Sequence, residues 1–164
     1  MEEPYYKYSQ FLKDKYGKKT YKLPVNLPTT CPNRDGNLAK EGCHFCGEEG
    51  ADFEMLPDDM SITKQLLENK DYIGERYGVD QFIAYFQNYT NTYLSLDKLK
   101  KYVKEAAAVE KIKSIYFSTR PDSICDKYIS TLKNAVEEVD SDISLAFEFG
   151  LQTVNYKTLK SVNR

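Results

Sequence analysis

Three cysteines stand close together in this sequence: Cys31, Cys43 and Cys46, spaced C-x11-C-x2-C. Three thiolates from one loop can fill three corners of an iron–sulfur cluster or three positions on zinc. For zinc the difficulty is the fourth ligand. His44 is the single histidine of the chain and directly follows Cys43, and adjacent residues rarely fold back to chelate one tetrahedral ion together. Zinc in this loop would need Cys125 or an acidic side chain. On a [4Fe–4S] cluster, three cysteines leave one iron open, and an open iron can take a substrate or cofactor. The first arrangement is a structural knot and the second a reactive centre. Cys125, far away in sequence, reads as a structural thiol near a strand end.

The cysteines need elements to hold them. Tyr21 to Leu27 alternates like a strand, interrupted by Pro24, and runs straight into a glycine-punctuated loop from Pro28 to Asp52 with Gly36, Gly42, Gly47 and Gly50. A loop of that length inside a compact domain is uncommon unless it is functional. Ser61 is placed to cap a helix running to about Tyr72, with Ile62 and Leu66 on one face. Gln81 to Gln87 reads as a buried strand, Leu96 to Val109 as a helix, Ile112 to Ser118 as a strand, Asp126 to Val139 as a helix and Ser144 to Gly150 as a strand. Another helix begins at Asn155. Short apolar strands alternating with 10–15-residue helices predict an α/β fold of parallel βα repeats.

Residues 1–20 read as a basic, tyrosine-rich arm outside the core, with a short helix from Tyr8 to Tyr16 stopped by Gly17. Residues 21–164 read as one domain. Net charge is −2, but residues 1–40 carry eight Lys/Arg against four Asp/Glu, so the positive excess sits before the cysteine pair. Lys13, Lys15, Lys18, Lys19 and Lys22 among Tyr5, Tyr6, Tyr8, Tyr16 and Tyr21 suit RNA phosphates and bases, or simply a solvated surface. A mean hydropathy of −0.62, with no apolar run near the ~18 residues of a membrane span, argues against membrane insertion or a secretory leader. The expected location is the cytoplasm, where cysteines serve as ligands or reactive thiols more than as disulfides.

Five separated stretches carry a resemblance: TTCPNRDG (Thr29–Gly36), GCHFCGEEGADF (Gly42–Phe53), YFQNYTNTY (Tyr85–Tyr93), STRPDSI (Ser118–Ile124) and EFGLQTVNYKTLKSVNR (Glu148–Arg164). In this order they resemble the amino-terminal half of a radical S-adenosylmethionine (radical SAM) family, the bacterial group related to the catalytic subunit of Elongator. The superfamily's familiar loop is C-x3-C-x2-C. The longer first interval found here is the spacing of this particular group.

The resemblance implies that Cys31, Cys43 and Cys46 ligate a [4Fe–4S] cluster whose open iron takes the amino and carboxylate groups of S-adenosylmethionine. Reductive cleavage would then give a 5′-deoxyadenosyl radical, with an external one-electron donor. It implies an aromatic, Phe45, packed by the adenine. The turn Gln87-Asn88-Tyr89 stands where many superfamily members carry Gly-Gly-Glu facing the cofactor's amino group. Glu148 and Gln152, flanking the end of the fourth strand, are candidates for the ribose or amino group, or else a surface Glu and a capping Gln. Arg164 aligns with the Arg of an N-R-G-H stretch and is a candidate for the cofactor's carboxylate, which a guanidinium binds bidentately. Arg120 or Asp122 would face substrate, or Asp122 would simply stabilise a turn. The implied fold is the first part of a partial TIM-type barrel, cut after strand four, and the implied substrate is tRNA, at its wobble uridine. On this reading the chain is a fragment that turns over poorly, if at all. The rivals are a zinc-binding interaction module without catalysis and a cluster protein that only transfers electrons.

Overall fold

A computed structural model describes residues 4–47 and 55–164. Gly50, and the part of the second motif from 48 to 53, lie outside the described residues. Among the described residues the elements run α1 (Tyr8–Tyr16), β1 (Tyr21–Val25), α2 (Ile62–Tyr77), β2 (Phe82–Phe86), α3 (Leu96–Ala107), β3 (Ile112–Thr119), α4 (Asp126–Glu137), β4 (Ser144–Phe149) and α5 (Tyr156–Ser161), with a 3-10 turn at Pro121–Ser123. The four strands form a single all-parallel sheet in the order β1-β2-β3-β4. The fold is α/β, as the alternation predicts.

Strand alternation sorts the side chains onto two faces. One face carries Leu23, Val25, Phe82, Ala84, Phe86, Ile115 and Phe117, and packs in one core with Ile62 and Leu66 of α2, Leu99, Val103 and Ala106 of α3, and Leu132, Ala135 and Val136 of α4. Burying each of the larger of these side chains stabilises the fold by about 1.5–3 kcal/mol. Register puts Phe86 opposite Phe117 and Phe117 opposite Phe147, and their rings stack with centroids 4.6 and 5.7 Å apart. Pro24 is accommodated because β1 pairs only with β2, so its missing N–H removes no second ladder bond.

The other face carries Ile83, Tyr85, Tyr116 and Ala146, and here α1 settles. Leu12 is buried against Ile83 and Tyr116, the Tyr16 and Tyr116 hydroxyls bond at 3.2 Å, and Gln81 Nε2 donates to the Tyr16 carbonyl. The arm expected outside the core is therefore partly in it. Leu12 and Tyr16, four residues apart on a helix, present one small apolar patch, and the uncovered sheet face gives that patch somewhere to go.

The helix after the cysteine loop starts as expected, with Ser61 Oγ accepting from Lys64 N at 3.3 Å. It runs past Tyr72 to Tyr77 and stops at Gly78, whose φ of +61° suits glycine. Its fully buried Gln65 does the positioning. Gln65 Oε1 accepts from Asn26 N, and its Nε2 donates to the Asn26 and Met60 carbonyls. Asn26 lies just beyond β1, where the chain turns toward the cysteines, and its Oδ1 accepts from Asn88 Nδ2 across the sheet. Gln65→Ala would remove three hydrogen bonds to the backbone of Asn26 and Met60. The expected loss is about 2–4 kcal/mol, measured by urea denaturation; a change within 0.5 kcal/mol would show that the backbone finds other partners.

Candidate functional site

All four strands run the same way, so the segments after β1, β2, β3 and β4 leave from one edge of the sheet, the edge where ligands gather in parallel α/β folds. A cavity of about 380 Å³ opens there, within the roughly 300–1,000 Å³ typical of small-molecule sites. Its walls bring together Cys31, Cys43 and Cys46 with Phe45, Gln87, Gln152 and Arg164. Those are the three expected cluster ligands and four of the five residues expected at the cofactor. Tyr85, Asn88, Tyr89, Thr90, Ser118, Thr119, Arg34, Arg120 and Gly150 complete much of the rest.

Glu148 is the exception, because it does not line the cavity. Its side chain belongs to the face under α1, where its carboxylate accepts from Lys22 Nζ, and Lys22 in turn lies over the ring of Tyr85, which lines the cavity. The Tyr85 hydroxyl is pushed well above its ordinary range, first by burial and then by its bond to Glu148.

The cysteine loop has no helix or strand from Pro28 to Gly47. Its backbone is held by turns and by the ends of other elements. Cys31 O accepts from Arg34 N at 2.8 Å and from Asp35 N at 3.2 Å, and Cys43 O accepts from Cys46 N at 2.9 Å. Across the loop, Gly42 N donates to Asn33 O at 2.8 Å, and His44 N donates to Val162 O at 3.0 Å. Asn163 Nδ2 donates to Gly42 O at 2.6 Å. The segment after α5 thus docks on the loop and carries Arg164 to the cavity wall, where its Nη2 donates to the Gly150 carbonyl at 2.6 Å.

The turn after β2 is fastened the same way: Thr90 N donates to Thr30 O at 3.3 Å. Among the described residues, four non-glycine positions have positive φ, and two of them, Tyr89 (53°) and Gln152 (66°), line the cavity. Left-handed backbone at such residues costs energy and concentrates at ligand sites.

Three guanidiniums stand around the three thiols. Arg34 lies over the Tyr89 ring at 5.2 Å and donates to the Gly47 carbonyl. Arg120, just past β3, is buried at 5% exposure. It grips Asp122 with two bonds of 2.8 and 2.6 Å, donates to Asn33 Oδ1, and turns Nη1 toward Cys31 Sγ at 3.8 Å. The guanidinium's pKa is raised, chiefly by the bond to Asp122, and that carboxyl is held below its ordinary range, chiefly by Arg120. Burial pushes the Cys46 thiol up, the neighbouring Cys43 adds to this, and Arg34 opposes it. The sequence places Arg120 in a turn with two open roles; what it misses is the pairing with Asn33, 87 positions away.

All four cysteines are free thiols. Among the described residues, no three His, Cys, Asp or Glu side chains are drawn together tightly enough to hold a metal as they stand. The donor set nevertheless suits a thiolate-bound cluster. Cys31, Cys43 and Cys46 face one cavity with cations around them, whereas His44 is absent from its lining. Cys125, beyond β3, lies on a separate, more open groove with Tyr93, Leu94 and Tyr128, so it is not a fourth ligand here.

Gly42 tests how tightly the loop is built. Its φ is +75°, and a Cβ there would stand 3.2 Å from Arg34 Nε. Gly42→Ala is expected to cost about 1–2 kcal/mol in thermal unfolding and to push Arg34 off Tyr89; unchanged stability with an unmoved Arg34 in a crystal structure would contradict this. Acid should loosen the Arg120 clasp. With the folded pKa of Asp122 depressed, its contribution is fully present above the unfolded value near 3.8 and is lost as pH falls below it. Amide exchange in the loop should therefore rise on acidification below about pH 4, and Asp122→Asn should remove that dependence.

No family model matches the chain, and no solved structure matches it. It is similar to the uncharacterized protein YtqA of Bacillus subtilis, 33% identical over 99% of this chain and 49% of the relative. Protein YhcC of Escherichia coli K12 is 32% identical over 92% of this chain and 46% of its own length. The uncharacterized protein MJ0486 of Methanocaldococcus jannaschii is 28% identical over 96% and 47%. The chain spans about half the length of the curated relatives it matches.

Proposed function

We propose that this chain is the amino-terminal part of a radical S-adenosylmethionine enzyme, with Cys31, Cys43 and Cys46 as the ligands of a [4Fe–4S] cluster. One observation carries the reading. The three cysteines and four further residues singled out by the resemblance come from four separate segments, yet they line a single cavity at the strand-end edge. A zinc knot explains the cysteines but gives no reason for Phe45, Gln87, Gln152 and Arg164 to meet them.

When bound and reduced by an external one-electron donor, the cluster supplies the electron that cleaves the sulfonium of S-adenosylmethionine to a 5′-deoxyadenosyl radical. The protein's own work is binding, orientation and exclusion of water. The guanidiniums of Arg34, Arg120 and Arg164 bring positive charge to a site built from thiolates, and Arg164 in addition suits a carboxylate. Phe45, half exposed at the rim, offers a flat apolar face for the adenine. The turn carrying Gln87 and the strained Gln152 present amide groups to polar parts of the ligand. Glu148 stays on Lys22, and Lys22 sits over Tyr85 in the wall.

The strand order also supports a TIM-type barrel. Each new parallel strand is added on the same side, and α2, α3 and α4 all pack on one face, which is how barrels wind and doubly wound sheets do not. In proteins of the relatives' length, further strands would follow β4. No helix among the described residues is long and apolar enough to cross a membrane, in keeping with a cytoplasmic enzyme. The substrate we propose is tRNA, at the wobble uridine, on the strength of the family resemblance.

Anaerobic reconstitution tests the cluster. The chain should take up about four iron and four sulfide and absorb near 400 nm; Cys31→Ala, Cys43→Ala and Cys46→Ala should each lower iron by more than half, and Cys125→Ala should not. S-adenosylmethionine should perturb the electron paramagnetic resonance of the reduced cluster. Stoichiometric zinc that iron cannot replace would overturn the reading in favour of the interaction module, and a cluster blind to S-adenosylmethionine would leave only electron transfer. Comparing tRNA nucleosides with and without the full-length gene tests the substrate.

A further inference from the structure

Arg120 is the buried cation best placed to act on the cysteine loop, and its bonds to that loop leave no trace in the sequence pattern. A buried guanidinium is costly unless its donors are satisfied. Asp122 takes Nε and Nη2, which fixes the plane of the group and aims Nη1 away from β3 at Asn33 Oδ1 and Cys31 Sγ. Asn33 is itself buried at 3% exposure. It passes the constraint on twice, since its Nδ2 donates to Asn163 O and its carbonyl accepts from Gly42 N. One clasp thereby joins the end of β3, both arms of the cysteine loop and the segment leading to Arg164.

We propose that Arg120, braced by Asp122, is the positioning residue of the cluster loop: it registers Cys31 and Asn33 against the end of β3 before any ligand binds, and places a fixed positive charge beside the Cys31 sulfur. The second half rests on the cluster reading above, and the first does not. Preorganisation of this kind lowers the ordering cost of binding, and a cation beside a cluster ligand stabilises the more negative, reduced state.

Hydrogen exchange of the metal-free chain tests the first half. Arg120→Gln should speed amide exchange across residues 31–46 at least tenfold while β2 and β3 stay protected. Arg120→Lys keeps the charge but lacks the fork and should behave alike. If the Gln variant does not fold, Asn33→Ala removes the same bridge from the other side and should speed exchange too. Loop exchange within twofold of wild type in both Arg120→Lys and Asn33→Ala overturns the proposal. In the iron-loaded protein, Arg120→Gln should shift the cluster's midpoint potential negative of wild type, with Arg120→Lys in between, a change that loss of structure alone would not order by charge; equal potentials overturn the electrostatic role. Faster exchange in the variants of a chain that takes up no iron and sulfide would uphold the clasp and refute the cluster.

Discussion

Four parallel strands must all end at the same edge, and every later property of the site follows from that constraint. Chain segments that are far apart in sequence, after Val25, Phe86, Thr119 and Phe149, are delivered to one side of the sheet. Each brings what its local chemistry allows: thiols from the first, a turn of amides from the second, a buried arginine from the third, a strained glutamine from the fourth. The helices pay for this geometry from behind, by covering the far face of the sheet in a continuous apolar core. The site residues are then free to be polar, because the main apolar core lies on the other side of the sheet.

The same constraint does not order the cysteine loop. It has no ladder of its own, so each of its turns needs a partner elsewhere. Those partners are the ends of the βα units: Gln65 at the start of α2 holds the exit of β1, Thr90 holds the run before Cys31, and Val162 and Asn163 hold the run around Cys43. Electrostatics sets a second condition. Burial, and after it the neighbouring Cys43, holds the pKa of the Cys46 thiol up, and Arg34 and Arg164 oppose that. Arg120 can serve from a buried position only because Asp122 neutralises it with two bonds; without that carboxylate the desolvation cost of the guanidinium would count against the fold.

Much of this was legible in the residues themselves. The strands around Ile83, Ile115 and Ala146 announce themselves as short apolar runs, and the helices between them by their period, so the class and order of elements follow from local pattern alone. Seven cavity residues were legible because motifs flank strand ends, and strand ends in a parallel sheet meet. Two things were hidden. Glu148 shares the sheet face of Tyr85 and Ser118, which do line the cavity, yet its carboxylate is taken by Lys22 of β1, 126 positions away. Long-range side-chain bonds, such as Arg120 to Asn33, leave no periodic trace. The extension of α2 beyond Tyr72 to Tyr77 was likewise unmarked; Gly74 suits its place there, since a Cβ would stand 3.2 Å from the Val79 carbonyl.

The positive excess of the first forty residues reads differently once its side chains are placed. Lys22 lies 3.9 Å from the Tyr85 ring and pairs with Glu148. Lys15 sits over Tyr16 and Tyr116, Lys18 bonds Asp80 at 2.7 Å, and Lys19 sits over Tyr21 and Tyr77 while donating to a carbonyl. Lys15 and Lys22 thus meet tyrosines of the sheet face under α1, and Lys18 and Lys19 tie the start of β1 to the end of α2 and the loop after it. A phosphate backbone would have to compete with those contacts, and each is short enough to matter at physiological ionic strength. The proposal of an RNA substrate therefore rests on the resemblance alone. The lysine–tyrosine arm is better understood as the floor beneath the cavity, holding Tyr85 in the wall on which the site is built.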